Sequence, residues 1–203
     1  MYQQARLPTG ADLERWSTEL AAAGYTHART SALALTASLR FEAAGYQPVQ
    51  ELVLLQHDQP RVAPAPALAT QRLQPEHYAD AARVDLAAFG DEWALDAAAI
   101  ADVCSATPRH RARSIAHPLQ GFAITGRDAR QGFLQRLAVA PAHQRAGVAT
   151  ALVLDSLAWL ARWRVQRVLV NTPATNAGAL ALYEGMGFER LTEQLRVYER
   201  ALT

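Results

Sequence analysis

The sequence has no lysine, one cysteine and few aromatic residues. All 20 basic residues are arginine, 19 residues are acidic, and the formal net charge is +1. Because the positive and negative charges nearly cancel, the net charge does not indicate a nucleic-acid or membrane partner. The single cysteine, Cys104, excludes an internal disulfide. A reducing, cytoplasmic compartment is therefore expected.

Long hydrophobic runs are also missing. Stretches such as 149–154 are interrupted by charge well before the 18 residues of a membrane span. The first 20 residues lack a basic start followed by an apolar run, so no signal peptide is expected. No spacing of His, Cys and Asp indicates a metal site, and none is expected. Arginine without lysine, beside abundant alanine, is typical of a GC-rich bacterial genome.

Helix-like and strand-like patterns alternate along the chain, which predicts an α/β fold with a mixed sheet. A segment with three prolines between 57 and 66 has no periodicity and is typical of a linker. We therefore expect an N-terminal part over 1–58, a linker over 59–66 and a complete domain over 67–203. The predicted strands are 67–73, 109–115, 119–125, 132–139, 167–171, 188–191 and 194–198, and the predicted helices are 76–89, 95–105, 148–162 and 176–184.

The two ends of the chain resemble each other. A shift of 142 positions aligns 41–46 with 183–188, where an aromatic residue, an acidic residue and a glycine recur. The same shift pairs Thr30 with Thr172 and Glu51 with Glu193. The order of predicted elements also matches. We interpret 1–58 as a degenerate copy of the second half of the C-terminal domain; the alternative is that any two helix–glycine–strand segments look alike.

A strand over 134–139 is followed by a glycine-containing loop and then by an Ala- and Leu-rich helix. This order places unpaired backbone N–H groups at a helix N-terminus, which favours an anion. Gly147 and Ala149 leave room for a phosphate to approach, and Arg145 can add a charged hydrogen bond. Alone, such a loop is more often only a turn.

The segment 144–149, Gln-Arg-Ala-Gly-Val-Ala, resembles the Q/R-x-x-G-x-G/A signature of the GNAT acetyltransferase superfamily. A second family motif follows in order over 176–188, from Asn176 through Tyr183 to Phe188. The resemblance implies a GNAT fold with a mixed, mostly antiparallel sheet flanked by helices, and acetyl-CoA as cosubstrate. It covers about 67–203 as a complete domain, whereas 1–58 resembles only a half-domain and carries no glycine loop.

The resemblance also implies roles for individual residues. The backbone of Leu137, Ala138 and Val139 would hold the pantetheine arm, and Val139 would offer its N–H to the developing oxyanion. Tyr183 would lie near the thioester sulfur as general acid, although such a tyrosine can also simply fill a core. The remaining positions implied to bind the cofactor are Gln144, Arg145, Ala146, Gly147, Val148, Ala149, Thr150, Asn176 and Ala179.

The general base and the acceptor are not identified by the sequence. Within the superfamily the chain most resembles the bacterial ribosomal-protein N-terminal alanine acetyltransferases, whose central strand carries a glutamate early; the position here is taken to be Gln131. Glu92 and Asp91, beside Trp93, would suit a cationic amine or a base, or would form an ordinary acidic helix start. Asp128 is a further carboxylate in a turn. An α-amine has a pKa near ~8 and needs only a weak base.

Two functions stay open at this point. The first is an acetyl-CoA-dependent N-acetyltransferase for a peptide N-terminus or small amine, acting as monomer or homodimer without nucleic acid or membrane. The second is a non-catalytic acetyl-CoA-binding module, which the glutamine at position 131 keeps possible. Lacking lysine, the protein cannot acetylate its own lysine side chains. Arg109, Arg111 and Arg113 would share one strand face, either solvated or facing an acidic partner or phosphate.

Overall fold

A computed structural model describes residues 8–58, 60 and 64–202. The helices are α1 (Gly10–Ala22), α2 (Leu35–Ala43), α3 (Tyr78–Phe89), α4 (Ala97–Ser105), α5 (Val148–Arg162) and α6 (Ala177–Gly185). The strands are β1 (His27–Arg29), β2 (Leu33–Ala34), β3 (Gln47–Asp58), β4 (Gln71–Arg72), β5 (Arg109–Ile115), β6 (Gly121–Asp128), β7 (Gln131–Val139), β8 (Arg167–Pro173) and β9 (Glu189–Ala201). Among the described residues, no helix has the length and apolar character needed to cross a bilayer.

The described chain forms two compact units. One contains 8–54, 171–180 and 190–202, and the other contains 181–189 and the described residues of 55–170. The N-terminal residues thus share a unit with the C-terminal strand, a division that does not follow the boundaries expected at 58 and 67. Linker positions 59 and 61–63 lie outside the described residues.

In the larger unit the strand order is β8-β7-β6-β5-β4. The pairs β4–β5, β5–β6 and β6–β7 are antiparallel, and β7–β8 is parallel. Strand β6 is buried from Gly121 to Gly126, because helices cover both of its faces. Phe122 and Ile124 pack with α3 and α4, whereas Ala123 packs with α5, as the two-residue period of a strand requires. The expected mixed, mostly antiparallel sheet flanked by helices is confirmed.

In the smaller unit the strand β9 pairs antiparallel with both β1 and β2. Its core joins Leu13 of α1 and Phe41 of α2 to Tyr46, which precedes β3, and to Tyr198 on β9. The Tyr198 hydroxyl donates to Glu42 at 2.7 Å, which satisfies a phenol that is otherwise fully buried. A few aromatic side chains therefore supply much of this core.

Three expected strands differ from those observed. The strands predicted over 188–191 and 194–198 are one strand, β9, because the polar residues between them lie on an exposed part of it. The strand predicted over 67–73 reduces to β4, which pairs with β5 only at Gln71 and Arg72. Strand β3 continues to Asp58, the last residue before the predicted linker.

The two aligned segments have matching local geometry. Helices α2 and α6 are related by the shift of 142 residues, and strands β3 and β9 begin at equivalent positions. Gly45 and Gly187 have φ of +81° and +85°. The amide after each glycine bonds the carbonyl five residues earlier at 3.0 Å, Tyr46 to Phe41 and Phe188 to Tyr183. Both helices therefore end in the same left-handed glycine turn.

Candidate functional site

Strand β7 is paired on both sides only at its start. Its parallel pairing with β8 covers Gln131, Gly132 and Phe133. From Leu134 to Val139 it pairs with β6 alone, so within the described chain its other edge is open. An extended ligand can pair with such an edge as a strand would.

The free polar groups of this edge can be assigned from the ladder. Ala140 donates its N–H to Gln120 at 2.9 Å, in the same register that pairs Ala138 with Phe122. Hydrogen-bonded and non-bonded pairs alternate in an antiparallel ladder. The N–H groups of Leu137 and Val139 therefore point away from β6, toward the open edge. Val139 meets the geometric requirement for an oxyanion donor fixed in place before any reaction.

A bulge sets the direction of this half of the strand. The register between β6 and β7 shifts between Ile124 and Thr125, which leaves Gln135 as the extra residue. Consequently Gln135 and Arg136 both reach the helices on one face, Gln135 to the Val103 carbonyl and Arg136 to Asp85. Bulges of this kind commonly redirect side chains beside functional sites.

The loop after β7 presents a run of unsatisfied backbone donors. The first hydrogen bond into α5 is from Ala151 to the Gly147 carbonyl, at 2.9 Å. The N–H groups from Arg145 to Thr150 find no acceptor among the described residues. Arg145 and Gly147, on either side of Ala146, have φ of +59° and +81°. Successive backbone N–H groups in such a turn form a concavity that binds anions. The unsatisfied backbone N–H groups of this loop are therefore suited to bind a diphosphate.

Gly147 itself is open to solvent. A Cβ built on it would meet no atom within 4 Å, so space is available for a bound group. The side-chain amide of Gln144 donates to the Val139 carbonyl at 3.5 Å, which connects the loop to the strand end. Arg145 is exposed and can swing toward an anion. The loop residues that are predicted to bind the cofactor therefore lie along one concave stretch of backbone.

Gly121 allows β7, β6 and α5 to approach closely. A Cβ on Gly121 would lie 2.8 Å from the Ala138 carbonyl oxygen and 2.9 Å from a Val148 methyl. Val148 is the first residue of α5 and is 2% exposed. A side chain at position 121 would therefore displace the start of α5, and with it the unsatisfied N–H groups.

Tyr183 is held near the end of α6 with 4% of its surface exposed. Its ring lies 5.6 Å from the Phe188 ring, which lies 5.2 Å from the His57 ring. Burial raises the pKa of the Tyr183 phenol to about 12. The phenol therefore stays protonated at any physiological pH, but it is a weaker acid than a free phenol.

Asn176 and Ala179 already bond each other. The Asn176 Oδ1 accepts from the Ala179 N–H at 3.0 Å, which caps the start of α6. The Ala179 N–H is occupied by this bond, and Ala179 stays a predicted cofactor-binding position. The Nδ2 group of Asn176 is the donor that its capping bond leaves for a ligand.

Asp91, Glu92 and Trp93 form the turn between α3 and α4, and both carboxylates are exposed. Beneath this turn, fully buried Asp85 accepts from Arg136 at 2.5 Å and 2.7 Å and from the Leu95 N–H at 2.7 Å. Arg136 also donates to the Trp93 carbonyl at 2.9 Å. The buried Asp85–Arg136 pair thus fixes the acidic turn to β7, one residue before Leu137.

Gln131 lies at the other end of β7 from Val139. Eight residues of strand separate them by about 26 Å. Gln131 and Asp128 line a polar cavity of about 590 Å³ with Gln56, Asp58, Arg130 and Arg167. The equivalence of Gln131 to the early glutamate of the resembled enzymes stays a prediction.

The arginine face of β5 has an acidic partner. Arg111 bonds Asp155 of α5 at 2.7 Å and 3.0 Å, and Arg113 lies 3.6 Å from the same carboxylate. Burial raises the pKa of Asp155, but hydrogen bonds from Arg111 and Thr70 outweigh it and leave the pKa below its usual value. These arginines therefore stabilise the sheet.

Sequence analysis missed several of these groups. Asp85, Arg136 and Asp155 lie in helical or strand patterns as single charges, and nothing local shows that they pair over 51 and 44 residues. His77, Asp80 and His117 also come together, with one donor atom of each within 4.8 Å of the others. The spacing of His77 and Asp80, one helical turn, was the available signal.

Known acetyltransferases resemble this chain in sequence and in fold. The N-alpha-acetyltransferase 30 of Saccharomyces cerevisiae is 34% identical over 68 residues, which are 34% of this chain and 39% of that protein. The ribosomal-protein-S18-alanine N-acetyltransferase from Escherichia coli has a similar fold, with TM-score 0.56, 21% identity, and coverage of 66% of this chain and 94% of that one.

A structure described as a tandem GNAT protein from the clavulanic acid biosynthesis pathway covers 99% of this chain and 72% of its own, with TM-score 0.63 and 15% identity. The model of the Acetyltransferase (GNAT) family matches residues 71–188, more than half of the chain. That match includes the open edge of β7, the loop before α5 and Tyr183. The chain therefore belongs to the GNAT acetyltransferase family.

Proposed function

We propose that the protein transfers an acetyl group from acetyl-CoA to a primary amine, either a peptide N-terminus or a small amine. The observation that carries the proposal is the run of unsatisfied N–H groups from Arg145 to Thr150 beside the open edge of β7. Together they suit a diphosphate followed by an extended amide arm. The matched relatives are spanned only in part by this chain, 39% in the yeast protein.

In this proposal, backbone groups bind the cosubstrate and polarise its thioester carbonyl. The loop N–H groups and Arg145 hold the diphosphate, and Leu137 and Val139 hold the arm. The thioester supplies an activated acetyl group when bound. The Val139 N–H, fixed by the ladder, donates to the thioester oxygen as it gains charge. Asn176 stays a predicted contact of the cosubstrate.

Tyr183 donates a hydrogen bond to the departing sulfur. Its pKa of about 12 lies about 3.5 units above that of a thiol near 8.5, so complete proton transfer is uphill. A hydrogen bond to developing charge needs no complete transfer. The phenol therefore stabilises the leaving group, and solvent supplies the final proton.

The acceptor enters as a neutral amine. No base was identified from sequence, and the exposed Asp91 and Glu92 turn is suited to attract a cation and pass its proton to water. An α-amine near pKa 8 is partly neutral at pH 7, whereas a lysine amine near ~10.4 is not. We therefore propose α-amines as the preferred acceptors.

The N-terminal residues 8–58 are proposed to be a degenerate half-domain of the same family. The matching glycine turns after α2 and α6 and the near-complete alignment with a tandem GNAT protein support this. Position 41 is phenylalanine where position 183 is tyrosine, and 2–8 contain no glycine where 144–150 do. One active site per chain follows, in a bacterial cytoplasmic protein.

A thiol-release assay with acetyl-CoA tests the function. Peptides with free and with blocked N-termini, and a panel of small amines, are offered at equal concentration. We expect turnover with free α-amines, little with blocked peptides, and a rate that rises with pH to a plateau above about 8. Acetyl-CoA binding without turnover on any amine would instead support a non-catalytic binding module.

A further inference from the structure

Two imidazoles and a carboxylate come together away from the proposed acetyl-transfer site. His77 ends the 3₁₀ turn Pro75–His77, Asp80 lies in the first turn of α3, and His117 follows β5. His77 Nδ1 lies 3.6 Å from Asp80 Oδ2, and the His77 and His117 ring centroids are 4.5 Å apart. One donor atom from each residue lies within 4.8 Å of the other two.

We propose that His77, Asp80 and His117 bind a divalent transition-metal ion of the zinc class, with a fourth position open to water. Zinc binds nitrogen and carboxylate oxygen at about 2.0–2.2 Å. Tetrahedral geometry then separates donor atoms by about 3.3 Å. The 3.6 Å between His77 and Asp80 already approaches this value. Imidazole ligands favour zinc, copper or nickel over calcium and magnesium.

The backbone positions of these ligands are fixed by buried neighbours. Ala81 follows Asp80, Leu119 lies two residues after His117, and both belong to one hydrophobic core. The distance between α3 and the turn after β5 is thus set by packing, and only side-chain rotation is needed. His117 is exposed, which leaves the ion an entry path.

Asp80 can serve the ion without losing its existing partner. Its Oδ1 accepts from Arg83, while its Oδ2 faces His77. A ligating carboxylate is commonly oriented by such a second hydrogen bond. The ion would join positions that are 37 residues apart in the sequence, and it would therefore restrain the start of α3 against the β5–β6 turn.

The test uses the full chain without an affinity tag. Titration with Co²⁺ should give the visible bands of four-coordinate cobalt and saturate at one ion per chain, and Zn²⁺ should displace it. Binding to the folded state should raise Tm by roughly 5–10 °C at a hundredfold excess over Kd. Binding should weaken as the pH is lowered, because ligating imidazoles must be neutral.

Variants decide the assignment. His117→Ala and Asp80→Asn should each weaken Co²⁺ binding at least tenfold, whereas His110→Ala, which removes another exposed imidazole of the same unit, should leave it unchanged. Circular dichroism and metal-free Tm show whether each variant is folded. Equal Co²⁺ affinity in all four proteins, or no saturable binding by the unmodified chain, overturns the proposal. Acetyl transfer is measured separately, because neither result depends on it.

Discussion

The glycine turns after α2 and α6 have the same backbone and different chemistry. In both, an aromatic ring on the helix meets another after the glycine, at 5.5 Å for Phe41–Tyr46 and 5.6 Å for Tyr183–Phe188. The phenol follows the glycine in the first segment, at Tyr46, but lies on the helix in the second segment, at Tyr183. Packing needs only two rings and a left-handed glycine, so it survives in both segments. Of the two helices, only α6 carries the hydroxyl, on Tyr183.

The largest effect is expected at the loop. Gly147→Asp adds a side chain and a negative charge where the diphosphate would bind, and should abolish acetyl-CoA binding by calorimetry. Gly24→Asp is the matched control, since Gly24 also has positive φ, +89°, and no atom within 4 Å of a built Cβ. It should bind normally. Equal loss in both variants would mean that backbone strain, and not the loop, is responsible.

Next in size is the buried pair of the larger unit. Arg136→Ala leaves Asp85 charged and 0% exposed, and should lower the free energy of unfolding by about 3–5 kcal/mol. Arg196→Ala removes a surface pair with Glu51 in the smaller unit and should have little effect. Urea denaturation compares the two. Similar decreases in the free energy of unfolding would show that burial does not determine how much these ion pairs stabilise the protein.

Exchanging the aromatic residues tests the comparison directly. Tyr183→Phe should lower kcat about 10²-fold with little change in the KM for acetyl-CoA, since it removes one donor to developing charge. Phe41→Tyr buries a hydroxyl in the smaller unit and should cost about 1–3 kcal/mol of stability without changing kcat. An unchanged kcat for Tyr183→Phe would rule out a role for the phenol in the reaction.

The smallest effect concerns the glycines themselves. Gly45→Ala and Gly187→Ala each force a Cβ into the left-handed region, at a cost of about 1–2 kcal/mol. The stability losses should match. Activity per folded molecule should fall only for Gly187→Ala, since its turn positions Tyr183. If Gly45→Ala reduces activity equally, the smaller unit contributes to catalysis.

Local signals predicted most of the fold. Helix α5 and strand β5 match their predicted limits, because each has strong periodicity and clear ends. The glycine loop and Tyr183 were found through motif spacing. The short β4 and the continuous β9 were not, since strand length depends on the partner strand. The Asp85–Arg136 pair has no local signature at all.

The divergence of β7 from β8 also has a consequence for the protein without cosubstrate. A bare strand edge is a template for pairing with other chains, and proteins usually protect such edges. Here the protecting partner would be a small molecule. Bound acetyl-CoA would then protect this strand edge. It would slow hydrogen exchange at Leu137 and Val139, and it would oppose self-association.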